Sequence, residues 1–226
     1  MTLSVVMPVL NEATRIQSGL RALVPLRARG AEVIVVDGGS RDGTAARAGP
    51  LTDQVLTAPR GRAAQMNAGA AAATGDVLLF LHADTWLPEY ADLLIRDALA
   101  RSPQVWGRFD VHFAGGALPL VATMMNLRSR LTGIATGDQA MFMTRDAFTR
   151  AGGFAEIALM EDIALSARLK RLSRPLCLTA RVTTSARRWQ AHGALRTVLL
   201  MWRLRLAFFL GADPQRLARA YGHAAD

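Results

Sequence analysis

Acidic residues follow two apolar runs of the sequence, at positions where the chain could place them beside a ligand. Asp37 comes directly after residues 32–36, and Asp84 comes shortly after residues 77–81. Glu161 and Asp162 form an acidic pair that opens a segment with helical periodicity. Carboxylates bind divalent metals and can act as general bases. These four residues are therefore candidates for binding a charged ligand and for proton transfer.

Three short runs of the sequence are mostly apolar. Residues 3–9, 32–36 and 77–81 are typical of strands that are buried on both faces of a parallel sheet. Ile16, Leu20 and Leu23 recur at helical spacing between the first two runs. Right-handed strand–helix–strand units bring the strand ends to one edge, where α/β sheets bind ligands. We therefore expect an α/β fold in which the three strand ends converge.

Each acid also has a simpler structural explanation. Asp84 could cap a helix that begins at Pro88, or it could form a turn. Glu161 and Asp162 would stabilise a helix start through the helix dipole even without a chemical role. These stretches alone leave both explanations open.

The segment after the second predicted strand combines arginine with small residues. Arg60-Gly61-Arg62 opens an alanine-rich helix predicted over 63–73, and its small residues allow close packing. Arg62 is a candidate phosphate contact near the strand edge, and the alternative is a solvated helix start. A further helix is predicted over 88–101, with proline in its first turn.

The pattern changes after residue 104. Residues 105–113 alternate between apolar and polar side chains, which predicts a half-exposed antiparallel strand. Residues 137–143 are predicted as a loop that runs into a strand, Thr144 begins a short helix that ends at Gly152, and 176–183 is a strand. We expect one domain over 1–226, with a nucleotide-binding half (1–104), an α+β half (105–189) and a helical tail (190–226).

Composition and charge narrow the classes of function. The formal charge of +9 comes almost entirely from arginine, since Lys170 is the only lysine. Arginine suits phosphate-bearing ligands, but the arginines are scattered instead of forming a basic arm, so nucleic acid is disfavoured as a partner. The single cysteine, Cys177, argues against a Cys-based metal site and fits a reducing cytoplasm. It is predicted to lie in the core.

Several classes of protein lack their signatures in this sequence. The first apolar run ends in Pro-Val-Leu-Asn-Glu instead of Gly-x-Gly-x-x-Gly, which disfavours dinucleotide chemistry. Residues 80–85 lack the nucleophilic acid of a haloacid-dehalogenase phosphatase. No signal-peptide pattern opens the sequence, and no stretch reaches the roughly 18 uninterrupted apolar residues of a membrane span. We therefore expect a cytoplasmic protein.

The C-terminal tail contains a largely apolar helix predicted over 195–210, followed by a short helix over 215–221. Arg196 and Arg203 fall on one stripe of the first helix, while Arg205 lies nearly opposite. Such a helix can lie in a membrane interface at the inner face of the membrane, form a homodimer contact, or pack on the core of its own chain. The sequence leaves these three explanations open.

Taken together in their order and spacing, these segments resemble a family 2 glycosyltransferase of the GT-A fold, over residues 3–189. The matching segments are Pro8 to Glu12, Asp37, the Asn67-x-Gly69 helix followed by Gly75-Asp76, Asp84, the Glu161-Asp162 pair and Arg188-Trp189. The short chain, the segment 137–139 and the arginine–tryptophan ending are most similar to a bacterial subgroup labelled arsenosugar-biosynthesis glycosyltransferases.

The resemblance implies an inverting transfer of a sugar from a nucleotide-diphosphate sugar to an acceptor hydroxyl. Asp162 would be the general base, with Glu161 as the alternative, and Asp37 would bind the nucleoside. The implied nucleotide-binding set is Pro8, Asn11, Glu12, Asp37, Arg62, Asp84, Arg188 and Trp189. A UDP-sugar is the favoured donor, and the acceptor is not identified, with a lipid-linked acceptor among the candidates. A catalytically silent nucleotide-sugar or partner-binding module is the alternative function.

The resemblance also implies a divalent metal, Mn²⁺ or Mg²⁺, on Asp84. The Asp-x-Asp motif of the family is His82-Ala83-Asp84 in this sequence, so His82 replaces one acidic ligand. Imidazole suits Mn²⁺ better than Mg²⁺. The Gln-x-x-Arg-Trp motif of the family has lost its glutamine in residues 185–189, so processive polymer synthesis is not implied.

Overall fold

A computed structural model describes residues 1–116 and 118–222, except for the side chains of Arg188, Ala191 and His192. The strands are β1 Leu3–Val9, β2 Glu32–Asp37, β3 Gln54–Thr57, β4 Val77–Phe80, β5 Thr85–Trp86, β6 Trp106–Phe113, β7 Phe142–Thr144 and β8 Leu176–Thr184. The α-helices are α1 Ile16–Ala28, α2 Thr44–Ala48, α3 Arg62–Ala72, α4 Ala91–Ala100, α5 Pro119–Thr132, α6 Arg145–Arg150, α7 Glu161–Leu169, α8 Arg187–His192, α9 Ala194–Phe209 and α10 Pro214–Tyr221.

The strands form one mixed sheet in the order β3-β2-β1-β4-β7-β6-β8-β5. The first four strands in this order run parallel, and β7 is antiparallel to both of its neighbours. The carboxyl ends of β1, β2 and β4 therefore lie at one edge, as the sequence predicts. Apolar clusters fill both faces of the sheet, one with Leu20 and Leu23 of α1 and the other with Met66 of α3.

Helix α3 lies directly on the parallel half of the sheet. A β-carbon added to Gly69 would come within 2.4 Å of Val6 Cγ1, so only glycine permits this approach. The buried side chain of Gln65 donates hydrogen bonds to the carbonyl oxygens of Val9 (2.7 Å) and Val36 (2.8 Å). Helix α3 thereby joins the carboxyl ends of β1 and β2.

Strand β6 differs from its prediction as a half-exposed strand. It is antiparallel to β7 but parallel to β8. Arg108, on its polar face, is fully buried, pairs with Asp110 and donates to Ser129 Oγ (3.0 Å) and to the carbonyl of Asn126 (3.1 Å). The predicted exposure is wrong because α5, a helix that was not predicted, covers this face with polar partners, whereas the antiparallel pairing with β7 agrees with the prediction.

The start of α4 and the burial of Cys177 differ from their predictions. Helix α4 begins at Ala91 instead of Pro88, and its N-cap residue is Tyr90, so Asp84 does not cap it. Cys177 is half-buried instead of lying fully in the core. By contrast, Thr144 caps α6 as predicted, because its side chain accepts a hydrogen bond from the Ala147 amide.

Helices α9 and α10 pack on the start of α7. Leu204 of α9 and Leu217 of α10 are buried in a small apolar cluster with Met160 and Ile163. Core packing therefore accounts for one face of the predicted helix 195–210, and the opposite face is exposed. Among the described helices, none has the length and apolar character needed to cross a bilayer.

The contact of α3 with the sheet can be tested at Gly69. The variant Gly69→Val should lower the free energy of unfolding by about 1–3 kcal/mol, because the added carbons overlap Val6 and Val36. Ala71→Val on the exposed side of the same helix should cost less than about 1 kcal/mol, since only helix propensity changes. Urea unfolding measures both, and equal losses would show that the contact can relax.

Candidate functional site

A cavity of about 840 Å³ opens beside the carboxyl ends of the parallel strands. Helices α5 and α9 contribute to its walls, together with the loop after β4 and the end of β8. Its charged and titratable lining residues are Arg62, His82, Asp84, Arg128, Asp138, Arg187, Arg205 and Tyr221. A cavity that combines several arginines with carboxylates suits a polyanionic ligand and a cation bound beside it.

Asp84 is fixed in the wall of this cavity by its backbone. Its carbonyl oxygen accepts a hydrogen bond from the Ser185 amide (3.2 Å), and the following residue, Thr85, pairs with Thr184. The Asp84 carboxylate is 32% exposed and accepts a hydrogen bond from Arg187 Nη2 (3.3 Å). The fold therefore presents a carboxylate and a guanidinium together at the cavity surface.

His82 is directed at Asp138 and Gly137. Its Nδ1 lies 3.5 Å from Asp138 Oδ1, and a β-carbon on Gly137 would come within 2.4 Å of its Cε1. Burial acts to raise the pKa of Asp138, but the hydrogen bond and charge of His82, with Arg62 and Arg205, lower the pKa below its ordinary value. Asp138 is thereby held as a carboxylate at the cavity surface.

Among the described residues, no group of three or more His, Cys, Asp or Glu side chains is arranged to hold a metal ion. Of the residues that the structure describes, Asp84 and Asp138 are the carboxylates that line the large cavity. Magnesium and similar ions are commonly held by one or two carboxylates, with substrate phosphates and water as the remaining ligands. This donor set fits a metal that arrives with a diphosphate.

Glu161 and Asp162 begin α7 and have different partners. Asp162 Oδ2 accepts a hydrogen bond from the Gly137 amide (2.9 Å), so it holds the turn that carries Asp138. Glu161 is buried, and its Oε1 lies 4.0 Å from Arg62 Nη1. Burial and the charge of Asp162 raise the pKa of Glu161, while Arg62 opposes this shift.

The acidic pair does not belong to the described lining of the large cavity. Glu161 and Asp162 line a small adjoining pocket, in which His82 and Gly137 also take part. His82 lines both spaces. The turn at Gly137 therefore lies between Asp162 and the cavity.

The loops after β1 and β2 form one hydrogen-bonded network. Asn11 has a positive φ of 54°, its amide donates to Ser40 Oγ (2.8 Å), and its side-chain oxygen accepts from the Arg41 amide (3.0 Å). The buried Asp37 carboxylate accepts from the Ser40 amide (3.0 Å) and from the Ser40 hydroxyl. Asp37 is thus held at the strand end by its own turn.

Pro8 and Glu12 also have local structural partners. Pro8 is buried in β1 opposite Val36, and the Glu12 amide donates to Thr44 Oγ1 (2.8 Å). The described lining of the cavity includes Arg62, His82, Asp84 and Trp189 from the predicted set, and it does not include Pro8, Asn11, Glu12 or Asp37. The structure divides the predicted residues that it describes among the cavity, the small adjoining pocket and the loop network.

The segment 187–189 supplies an arginine that contacts Asp84. Arg187 donates to the Asp84 carboxylate, whereas the side chain of Arg188 lies outside the described residues. Trp189 packs edge-to-face on Phe113, with ring centroids 5.6 Å apart. The family resemblance includes Arg188 and Trp189 but not Arg187, so it did not point to this contact.

Arg128, Asp138 and Arg205 also line the cavity, although the sequence analysis assigned no role to them. Asp138 lies in the segment 137–139, which contributes to the family resemblance, and Arg205 lies nearly opposite the other arginines of its helix. Arg128 had no signal, because its helix was not predicted. Burial and the neighbouring Arg205 lower the pKa of Arg128 to about 10.

The sequence model of Glycosyl transferase family 2 matches residues 4–155. The chain therefore belongs to this family, and its mixed sheet has the GT-A fold. The match ends before the Glu161-Asp162 pair. A comparison with curated protein sequences finds no match.

Solved glycosyltransferase structures share the fold. S. aureus TarS 1-349 in complex with UDP-GlcNAc is 18% identical with a TM-score of 0.69, and the alignment covers 82% of this chain and 58% of that one. Glucosyl-3-phosphoglycerate synthase from Mycobacterium tuberculosis, in complex with Mn²⁺, UDP-glucose and phosphoglyceric acid, is 22% identical with a TM-score of 0.61, covering 81% and 70%. This chain thus spans 58% and 70% of the length of these two structures.

The raised pKa of Glu161 predicts a pH-dependent effect on stability. At about pH 7 the variant Glu161→Gln should have the larger free energy of unfolding, by ~1.4 kcal/mol per unit of pKa shift, because the parent must ionise a buried acid. The free energy of unfolding of the parent falls relative to that of the variant as the pH rises from the unfolded-state pKa of Glu161 through its raised folded-state pKa. Below about pH 4 the acid is neutral in both states, and the difference should vanish.

Urea unfolding at both pH values measures this effect, and Glu156→Gln is the control because Glu156 is exposed. A Glu161→Gln variant that is less stable than the parent at about pH 7 would show that the pairing with Arg62 outweighs burial.

Proposed function

We propose that this chain is an inverting, metal-dependent glycosyltransferase that transfers a sugar from a nucleotide-diphosphate sugar, with a UDP-sugar favoured, to an acceptor hydroxyl. The observation that carries the proposal is the Asp84 carboxylate, accessible at the sheet edge and accompanied by Arg187 in a cavity with further arginines. Membership of family 2 supports it, as do fold neighbours whose structures contain UDP or UDP-sugars.

The proposed roles follow from the charge that develops in the reaction. Breaking the bond between the anomeric carbon and the β-phosphate leaves negative charge on the diphosphate, and a divalent ion held by Asp84 and the phosphates would neutralise part of it. Arg62 and Arg187 line the same cavity and would donate hydrogen bonds to the leaving group. Arg188 and Trp189 would contact the nucleotide.

The remaining residues of the set would bind the nucleoside and the acceptor. The loop network around Asn11, with Pro8 and Glu12 at its base, would support the nucleoside, and Asp37 would contact its ribose or base. Asp162 would take the proton of the acceptor hydroxyl, with Glu161 as the alternative base. His82 would be a metal ligand or would hold Asp138 beside the metal.

The proposal extends to a subgroup of the family and to a location in the cell. The arsenosugar-biosynthesis subgroup is the proposed relationship within the family. A cytoplasmic location with peripheral contact to the inner face of the membrane is proposed through residues 195–210, where exposed apolar side chains alternate with Arg196 and Arg203. A homodimer through the same residues is the competing arrangement.

Turnover separates this function from a silent binding module. Hydrolysis of a panel of nucleotide sugars, with and without Mn²⁺, should show turnover of at least one donor that depends on the metal. Tight nucleotide binding without turnover of any donor would favour the module.

The metal role of Asp84 predicts the behaviour of Asp84→Ala. This variant should lose Mn²⁺-dependent binding of UDP by about 100-fold or more, because Asp84 is the carboxylate that the loop after β4 presents to the cavity and a divalent ion bound with a diphosphate depends on such carboxylates. Calorimetric titration of UDP with and without Mn²⁺ measures this. Asp97→Ala is a matched control, since Asp97 is an exposed acid that pairs with Arg101 on α4. If Asp84→Ala binds UDP and Mn²⁺ as the parent does, Asp84 is a turn residue.

The base role of Asp162 predicts a loss of turnover without a loss of donor affinity. Asp162→Asn should lower the rate by about 10²-fold or more and leave the affinity for UDP nearly unchanged. Glu161→Gln should do less harm. Single-turnover transfer to the first acceptor found active, with a UDP titration of both variants, measures these effects.

The hydrogen bond from the Gly137 amide to Asp162 makes the UDP titration the decisive control. A loss of both rate and affinity in Asp162→Asn would show that Asp162 mainly holds the turn at residues 137–139. A near-parental rate would show that Asp162 is not the base. Asp138, whose carboxylate lines the cavity, would then be the candidate base.

A further inference from the structure

One part of the large cavity wall is apolar. Leu120 and Met124 of α5 line it together with Met201 and Trp202 of α9. Leu120, Met124 and Trp202 are 73%, 49% and 57% exposed, so the wall faces water in the free protein. A diphosphate has no apolar surface, and the C–H face of one sugar is too small to cover four such side chains. The wall therefore indicates a second ligand with an apolar part.

The same wall continues onto the outer surface of both helices. Exposed apolar residues recur every three or four positions along each helix, at Leu120, Met124, Leu127 and Leu131 of α5 and at Leu195, Leu199, Trp202, Leu206 and Phe209 of α9. The members of these stripes that also line the cavity are Leu120, Met124 and Trp202. An apolar ligand could thus pass from the outer stripes into the cavity without leaving apolar surface.

The apolar wall ends at two arginines. Arg128 follows Met124 by one turn of α5, and Arg205 follows Met201 by one turn of α9. Nε and Nη2 of Arg128 and Nε of Arg205 are buried without a hydrogen-bond partner among the described residues. Buried cationic groups of this kind are stabilised when an anion supplies the missing acceptors.

The donor side of the site has other cations. Arg62 belongs to α3, and Arg187 contacts Asp84 at the end of β8. Arg128 and Arg205 are instead carried by the two helices that supply the apolar wall. Their position connects them to the ligand that covers this wall.

We propose that the acceptor is a single-chain amphiphile with a phosphate-bearing headgroup. Its phosphate would bind Arg128 and Arg205, and its aliphatic chain would lie along the apolar wall of α5 and α9. This inference rests on the proposed function. A headgroup hydroxyl forms the bond to the anomeric carbon, the bond to the donor β-phosphate breaks with its electron pair on the diphosphate, and the proton passes to the carboxylate that acts as base, for which Asp162 and the cavity-lining Asp138 are the candidates.

Binding of simple alkyl phosphates to the full chain tests the inference independently of turnover. Octyl phosphate, ethyl phosphate and octanol separate the contributions of chain and headgroup, and calorimetric titration measures each. Octyl phosphate should bind at least about tenfold more tightly than either of the other two, because it alone engages both the wall and the arginines.

Matched variants locate the site. Arg128→Gln and Arg205→Gln should each weaken octyl phosphate binding by about tenfold or more, while Arg203→Gln, at an exposed arginine of the same helix, should leave it unchanged. Met124→Ser should weaken the binding of octyl phosphate but not of ethyl phosphate, and Leu131→Ser outside the cavity is its control. Thermal unfolding checks that each variant is folded, and Arg128→Lys and Arg205→Lys keep the charge if the Gln variants are not.

Three results would overturn the inference. Equal affinities for octyl and ethyl phosphate would show that the wall does not bind the chain. A loss of UDP and Mn²⁺ affinity in Arg128→Gln and Arg205→Gln would assign these arginines to the donor. Self-association of the chain, seen by light scattering, without any octyl phosphate binding would make the stripes a dimer face.

Failure of the proposed function has a different signature. If the parent protein turns over no nucleotide sugar but binds octyl phosphate with the expected variant pattern, the amphiphile site is supported and the transferase function is not. If the parent protein turns over a donor but does not bind octyl phosphate, the transferase function is supported and the amphiphile site is not.

Discussion

A buried guanidinium at position 108 fixes the second half of the fold. A charge in the interior must be paired and hydrogen-bonded, and the removal of one partner from such a group costs about 3–5 kcal/mol. Arg108 meets this requirement through Asp110, Ser129 and the Asn126 carbonyl, and Arg130 also pairs with Asp110 (2.5 Å). These contacts place α5 in one register on β6, so the cavity wall that α5 supplies depends on them.

The cavity is assembled from both halves of the sheet. Helix α3 joins the ends of β1 and β2 through Gln65, and the Ser185 amide ties Asp84 to the end of β8. Asp162 holds the turn at Gly137 that carries Asp138. The charges at the site are thus placed by backbone contacts between elements that are far apart in the chain, which limits the reorganisation needed when charge develops.

The charges of the site are distributed unevenly. Arg62, Arg128, Arg187 and Arg205 line the cavity with the acids Asp84 and Asp138, which leaves cationic character for a polyanion. Glu161 is buried behind this surface with a raised pKa, whereas Asp138 keeps a lowered one because His82 is beside it. Two carboxyl groups of one site therefore differ in their ease of ionisation because of their different surroundings.

The sequence alone determined three of the four parallel strands, β1, β2 and β4, whereas β3 was not predicted. These three strands are short buried runs, and right-handed connections dictate that Asp37 and Asp84 reach one edge. The order of the motifs also indicated the family. The polar face of β6 was mistaken for an exposed face, since periodicity distinguishes polar from apolar but cannot show that Asn126 and Ser129 cover it. The tertiary structure alone decided that Arg187 contacts Asp84 and that Arg128 and Arg205 share a cavity, because packing between distant segments brings these side chains together.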